Sequence, residues 1–374
     1  MQIFPEKMKR ALKSTLFGLM LAASVTVQSL GAQASGTGET AAREETAESP
    51  VAMDVVYGYQ NTAKSGRFLP IKIQLDSRTS QTFKGTLCIL AMEPDFQGYN
   101  MNLDYDVYRY EYPVEIEPGG NMNKSVSISL GARVDQMYVR LLDENGNEVV
   151  SKRLKLNLNL ETAELFIGVL SDNPAELLYF NGVGINYSTL RTKTIEMTAA
   201  TLPVTELGLD QLDVLLITDF DSGKLSGQQI EAVWEWVRKG GVLLIGTGGR
   251  GEDTLRAFGR ELLEQPLPQP DERVINMGVE YAVDRPEGAS IPLTCTDVML
   301  KGGTEVLGSE ELSVLSSVSV GNGLAAVAMY DFVDIEEFCQ ANISYIDNLF
   351  TTLLGEDKIN GLASAMDGST SSQF

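Results

Sequence analysis

The stretch "GGVLLIGTGGRGED", Gly240 to Asp253, reads as a buried strand entering a glycine-rich turn. Its apolar run does not alternate, as expected of a strand covered on both faces. "ELFIGVL" (Glu164 to Leu170) and "DVLLITDF" (Asp213 to Phe220) have the same character, and "TIEMTAATL" reads as a further strand. Helical signals lie between them. "SDNPAELLYFNG" opens a helix, with Asp172 or Asn173 as cap and Pro174 at the first helical position. In "SGQQIEAVWEWVRKGG", Ser226 and Gln229 spell a capping box. Ile230, Val233, Trp234 and Val237 form one apolar stripe, and Gly240 ends the helix. "EDTLRAFGRELLE" follows the turn as another helix. The alternation predicts a parallel sheet with helices on its faces.

Beyond the Pro-rich "QPLPQP", "VINMGVEYAV" and "IPLTCTDVML" read as added strands. "SVSVGNGLAAVAMYDF" reads as paired strands around Gly321-Asn322-Gly323, and "IEEFCQANISYIDNLFTTLL" as one closing amphipathic helix. Upstream, residues 53–160 hold seven candidate strands separated by turn signals such as "EPGG" and "DENGNE", which predicts an immunoglobulin-like sandwich. Tyr99, Tyr105, Tyr108, Tyr110 and Tyr112 crowd one part of it. Tyr108, Tyr110, Tyr112, Val114 and Ile116 share a strand face by parity and are expected to be a core stripe. The competing reading is a tyrosine platform that stacks on sugar rings.

The 374 residues include no histidine. That removes the usual general base near neutral pH and every zinc site that needs imidazole. The N-terminus carries Lys7, Lys9, Arg10 and Lys13, then "LFGLMLAASV", then "AQA" at Ala32 to Ala34. This is the pattern of an export signal over residues 1–34. Without that segment's four basic residues and one acidic residue, 25 basic and 50 acidic residues remain, a net charge of −25. Such a surface repels nucleic acid and anionic lipid. Cys88, Cys295 and Cys339 are widely spaced. Cys88 is expected to be a packing residue, a Cys295–Cys339 bridge is conceivable, and no pair has zinc-ligand spacing. The expected organisation is a signal peptide (1–34), an acidic linker (35–52), a β-sandwich (53–160), an α/β domain (164–355) and a flexible tail (356–374).

The order of "LFIGVL", "DVLLITDF", the helix from Ser226, "GGVLLIGTGG" and "GNGLAAVAMYDF" resembles the class I glutamine amidotransferase-like fold, a flavodoxin-like architecture, over about Glu164 to Leu354. Catalytic members carry a G-x-C-x-G elbow and a histidine after a late strand. Laid on Gly246, the elbow pattern puts Gly248 at the nucleophile position, and "VAMYDFVD" holds no histidine. The resemblance therefore implies the fold without its reaction. A sandwich joined to such a domain also looks like the extracytoplasmic part of predicted Gram-positive membrane proteins. In those a C-terminal membrane helix follows, so the chain is expected to be a secreted variant or an ectodomain whose membrane segment lies outside it.

Three candidate sites fall at the strand ends. The turn Gly246-Thr247-Gly248-Gly249-Arg250-Gly251 matches G-x-G-x-x-G, which can cradle phosphate, although Glu252 and Asp253 follow it. The structural alternative is a sharp strand-to-helix turn that needs positive φ. Thr247 is a hydroxyl nucleophile only if something activates it, and no histidine or adjacent lysine does. Asp172, Asp219 and Asp221, with Glu252 and Asp253, are candidate oxygen ligands for calcium or magnesium, or else caps and solvated loop residues. No catalytic residue and no cofactor is assigned. The expected role is a non-catalytic binding or scaffolding protein of the cell envelope, at the cell surface or outside the cell. Its partner would be another envelope protein or a cell-wall component. The alternatives are a carboxylate- or metal-dependent hydrolase of an envelope glycan, and a carbohydrate-binding module.

Overall fold

The computed structural model describes residues 49–95, 104–131, 134, 136–156, 163–277, 290–309 and 312–364. The export signal, nearly all of the expected linker, Tyr99 and the last ten residues of the expected tail lie outside them. The described chain forms two compact units that do not follow chain order. One comprises the chain up to Met53 with Leu75–Met122 and Met137–Arg153; the other comprises Asp54–Gln74, Asn123–Gln136 and Leu154–Phe374.

Seven strands come first: β1 (Val51–Tyr57), β2 (Phe68–Ser77), β3 (Phe83–Asp95), β4 (Asp104–Ile116), β5 (Asn121–Ser129), β6 (Gln136–Asp143) and β7 (Glu148–Lys155). They make a three-stranded sheet, β1-β2-β5, and a four-stranded sheet, β4-β3-β6-β7. The latter belongs to the first unit, except for Gln136 at the start of β6 and the end of β7. β3 and β4 run antiparallel for their full length, with Ala91 opposite Tyr108 and Gly85 opposite Val114. Leu87, Ile89, Ala91, Met137, Val139 and Leu141 are fully buried, so these strands turn one face inward by period two. The tyrosine stripe obeys parity but not coverage. Val114 and Ile116 are buried, Tyr112 and Tyr110 are half-buried, and Tyr108 is 41% exposed. Burial therefore fades toward the start of β4, and Tyr108 is not a core residue.

The second unit is built on a seven-stranded sheet. Its strands are β8 (Glu164–Leu170), β9 (Arg191–Met197), β10 (Val214–Ile217), β11 (Val242–Gly246) and, beyond the separate hairpin of β12 (Asp271–Asn276) and β13 (Ser290–Cys295), β14 (Thr304–Ser309), β15 (Leu312–Val320) and β16 (Gly323–Ala328). The order is β14-β15-β16-β11-β10-β8-β9. The last five are parallel, whereas β15 pairs antiparallel with β16 and β14 with β15. Leu165, Ile167 and Val169 enter one buried cluster and Phe166 and Leu170 another. Both faces of the sheet are thus covered, which is why its strands read as continuous apolar runs.

The helices are α1 (Glu206–Leu209), α2 (Gly227–Arg238), α3 (Gly251–Thr254), α4 (Gly259–Leu262), α5 (Glu336–Ala341), α6 (Ser344–Leu354) and α7 (Glu356–Ser364). In α2, Ser226 and Gln229 close the capping box in both directions. Elsewhere the expected helices are shorter. Pro174–Phe180 is a 3-10 helix, capped at Asn173 without a side-chain bond. The helix expected from Glu252 breaks into α3 and α4, and the closing helix breaks at Asn342 between α5 and α6.

These facts overturn the expected fold class of an immunoglobulin-like sandwich plus a flavodoxin-like, amidotransferase-like α/β domain. The described residues are β-rich, 45% strand and 24% helix, with several sheets, and the largest sheet among them is mixed. The reason is physical. Among the parallel crossovers only the one from β10 to β11 carries an α-helix of more than two turns. The pairing of β15 with β16 around Gly321-Asn322-Gly323 is the one expected, but it is antiparallel and β14 extends the edge by a second antiparallel pairing, which simple βα repetition does not contain. Among the described residues no helix is long and apolar enough to cross a membrane.

Within the second unit, the β1–β2 connection is tied to the chain around α1 and β10. Tyr59 donates its hydroxyl to Gly208 O at 2.6 Å, and Gln211 Nε2 donates to Lys64 O and Phe68 O. Lys64 and Arg67 both reach the Asp213 carboxylate, whose side chain is wholly buried at the start of β10.

Candidate functional site

The strands β8, β10, β11 and β16 end together, and the sequence-derived candidates stand there. β11 delivers Gly246 and Thr247 into the turn. A Cβ on Gly246 would lie 2.3 Å from Thr218 Oγ1 and 2.9 Å from the Phe332 ring, so glycine is needed for close packing. Gly248 has φ +51°, and a Cβ there would lie 2.9 Å from both the backbone nitrogen and the Cβ of Asp331. Gly248→Ala therefore meets a backbone clash and a left-handed conformation together. It is expected to destabilise by roughly 1–3 kcal/mol, read by urea unfolding; a loss below a few tenths would mean the turn relaxes freely. Gly249 alone of these residues is exposed.

Thr247 is fully buried, donates its hydroxyl to Ala328 O at 2.7 Å, and donates its backbone N–H to Tyr330 O. It is a fastener between β11 and β16, not an exposed nucleophile. The neighbouring hydroxyls do similar work. Thr218 Oγ1 donates to Asp331 Oδ1 at 2.6 Å and accepts from Phe332 N, and Thr296 Oγ1 donates to Gly248 O.

The structure brings Asp172 and Asp219 together through cations. Arg250, inside the turn itself, donates to Asp219 Oδ1, to Asp219 O at 3.2 Å and to Asp172 Oδ2 at 3.3 Å. Lys224 donates to both Asp172 oxygens, at 2.9 and 3.2 Å. Partial burial alone would raise the Asp172 carboxyl, but the bonds and charge of Lys224 and Arg250 overcome it and hold it below its ordinary range. Asp219 is 8% exposed with φ +45°, a region aspartate tolerates better than most residues, and Asn173 Nδ2 donates to its second oxygen.

Asp221 is not gathered into this pair. It caps the following 3-10 turn by accepting from Gly223 N, and stands 3.7 Å from Arg256. Asp253 also pairs with Arg256, and Glu252 is exposed. Among the described residues no group of three or more Cys, Asp or Glu side chains is placed to hold a metal ion. The acidic candidates instead alternate with Lys224, Arg250 and Arg256.

Sequence reasoning passed over Asp331. It stands in "VAMYDFVD", where the absent histidine drew attention, yet it organises the edge. It is 5% exposed. Oδ1 accepts from Thr218 Oγ1 and Val333 N, and Oδ2 accepts from Asp219 N at 3.0 Å. Burial raises its carboxyl to about 6, Thr218 and Val333 oppose the shift, and Asp334 and Asp219 add to it. Burial likewise raises Asp334, with Asp219 and Glu176 contributing. Its sequence signal is slight, because an aspartate immediately before a helical turn reads as an ordinary cap. The cysteines supply no chemistry either: all three are free and buried, so no Cys295–Cys339 bridge forms.

Residues 50–157, less than a third of the chain, match a family described as a domain of unknown function, DUF8726. No curated protein sequence matches the chain. Solved structures with partial likeness include a cytoplasmic protein from Salmonella typhimurium LT2, 15% identical, covering 50% of this chain and 99% of its own at a TM-score of 0.38. Another cytoplasmic protein from Salmonella typhimurium is 14% identical, covering 61% of this chain and 95% of its own at 0.33. An exo-beta-1,4-mannosidase from Opitutaceae bacterium strain TAV5 is 13% identical, covering 43% of this chain and 28% of its own at 0.29. These scores are too low to transfer a fold or a function.

Proposed function

We propose that the chain is a non-catalytic binding or scaffolding protein of the bacterial cell envelope, exported by its N-terminal signal and engaged with another envelope protein or a cell-wall component. The observation that carries the non-catalytic part is Arg250. It occupies the sheet edge from within, paired to Asp219 and Asp172, while Thr247 is bonded to Ala328 O. A catalytic carboxylate needs access to substrate, and these are engaged by the chain itself.

A thermal-shift series on the full chain tests it, with calcium, magnesium, nucleotides and cell-wall sugars as probes. A ligand at a hundred times its Kd adds about 2.7 kcal/mol and raises the melting temperature by several degrees. No shift with calcium, magnesium or nucleotide is expected. A calcium or magnesium shift abolished by Asp219→Ala would overturn the non-catalytic reading. Cell fractionation tests the compartment: the protein belongs in the envelope or the medium, and recovery in the cytoplasm would refute export.

One observation favours a second reading, carbohydrate binding at β4. Tyr108 is 41% exposed, and its hydroxyl donates to Glu93 Oε2 at 3.3 Å. Tyr108→Ala should then weaken retention on immobilised wall glycan; unchanged retention discards it.

A further inference from the structure

The outward face of the sheet β4-β3-β6-β7 carries arginines on a chain of net charge −22. Leu90 pairs with Arg109 and Cys88 with Glu111, so these four side chains share the face opposite Leu87, Ile89 and Ala91; on it Cys88 is buried and Leu90 half-buried, while Arg109 and Glu111 reach solvent. On β6, Tyr138 and Arg140 alternate with the buried Met137, Val139 and Leu141. Arg109, opposite Leu90, and Arg140, between the buried Val139 and Leu141, both stand at the outward positions of their strands, and the charges of both oppose the rise that burial gives the Cys88 thiol. Arg140 and Arg153 then lie over the Tyr138 ring, their Cζ atoms 5.4 and 5.9 Å from its centroid. The order across the face is Arg109 on β4, Arg140 on β6 and Arg153 on β7.

We propose that Arg109, Arg140 and Arg153, with Tyr138, form a binding face for a linear phosphodiester polymer of the envelope. A guanidinium beside an aromatic ring can still donate its terminal N–H groups to phosphate oxygens. The row spans three interstrand spacings, about 14 Å, which suits successive phosphates along a chain better than a single ion.

The existing partners do not close the face. Arg109 pairs with Glu111, both half exposed. Arg140 Nε stands 3.4 Å from Glu148 Oε2 without the alignment of a hydrogen bond. Such exposed pairs contribute little and yield to a better oxyanion. No carboxylate among the described residues pairs with Arg153. The overall negative charge is felt weakly at contact, because the screening length at physiological salt is about 8 Å. The inference rests on the envelope reading for where the polymer is met, but not for the chemistry of the face.

The test is fluorescence anisotropy of the full chain with labelled poly(glycerol phosphate), beside polyglutamate and inorganic phosphate. Three phosphate contacts on a flexible polyanion give a log–log salt slope of about −2, so affinity should fall ~16-fold from 150 to 600 mM salt. The double variant Arg140→Glu, Arg153→Glu should lose binding at least tenfold while keeping its melting temperature. Should that variant unfold, Arg140→Lys with Arg153→Lys keeps the charge, and the loss of planar forks should still weaken binding several-fold. No binding at 150 mM salt, or equal binding by the variants, overturns the proposal. Equal affinity for polyglutamate would also overturn it, in favour of an acidic polypeptide partner. Binding by a protein that fractionates with the cytoplasm would uphold the face and overturn only the envelope reading.

Discussion

Asp213→Ala is expected to destabilise the protein by about 3–5 kcal/mol, the cost of leaving buried cations without their counter-charge. The Asp213 side chain is wholly buried at the start of β10 and accepts from Phe166 N at 2.7 Å, from Arg67 Nη2 at 2.7 Å and from Lys64 Nζ. Burial alone would raise this carboxyl. Lys64 and Arg67 reverse the effect and hold it below its ordinary range. The sign follows: its contribution is complete above the unfolded-state pKa and is lost as pH falls through the lower folded-state value. For a unit of this size the melting temperature should drop by roughly 10 °C. Asp213→Asn keeps an acceptor for Phe166 N and should fall between wild type and alanine. Lys64 and Arg67 lie in the β1–β2 connection, so the alanine variant should also become protease-sensitive between Gly58 and Arg67. A loss under about 1 kcal/mol would show that water or another acid replaces Asp213.

This ion cluster shows where the sequence was readable and where it was not. Helix α2 is legible because its signals are local: Ser226 and Gln229 are three residues apart, and the stripe repeats within one turn. The strands β8, β10 and β11 are legible because burial on both faces leaves an unbroken apolar run. Asp213 reads only as the first residue of a strand, with nothing to mark its ion pairs, since its partners Lys64 and Arg67 lie 149 and 146 residues away. Tyr108 shows the limit of parity, which assigns a strand face but not what covers it. The site divided the same way. The turn at Gly248 is legible from its glycines, whereas the role of Arg250 depends on Asp172, 78 residues upstream. The β15–β16 pair is legible from Gly321-Asn322-Gly323, but its place in a mixed sheet is not: β14 lacks a strong strand run, and antiparallel addition at an edge leaves no mark in the parallel strands.

Asp331 gives the second large expected effect, and its sign is opposite to that of Asp213. Its carboxyl rises from 3.8 to about 6 in the folded chain. Between those values the native state binds more protons than the unfolded state, so stability falls as pH rises through the window. That rise corresponds to about 3 kcal/mol, present as a penalty at neutral pH. From pH 4.5 to 7.5 the change is about 2 kcal/mol. Asp172 and Asp213 are shifted downward and act in the other direction at low pH. The measurement must therefore be a difference between wild type and Asp331→Asn, by urea unfolding at both pH values. The asparagine variant has a pH-independent cost, because an amide cannot accept at both positions now facing Thr218, Val333 N and Asp219 N. Wild type should lose about 2 kcal/mol relative to the variant on going from pH 4.5 to 7.5. A constant difference would mean that the three donors keep Asp331 ionised throughout. In that case the strand-end network is held by hydrogen bonds strong enough to offset burial, and Asp331 would be a fixed negative anchor for the Asp219 loop instead of a titrating one.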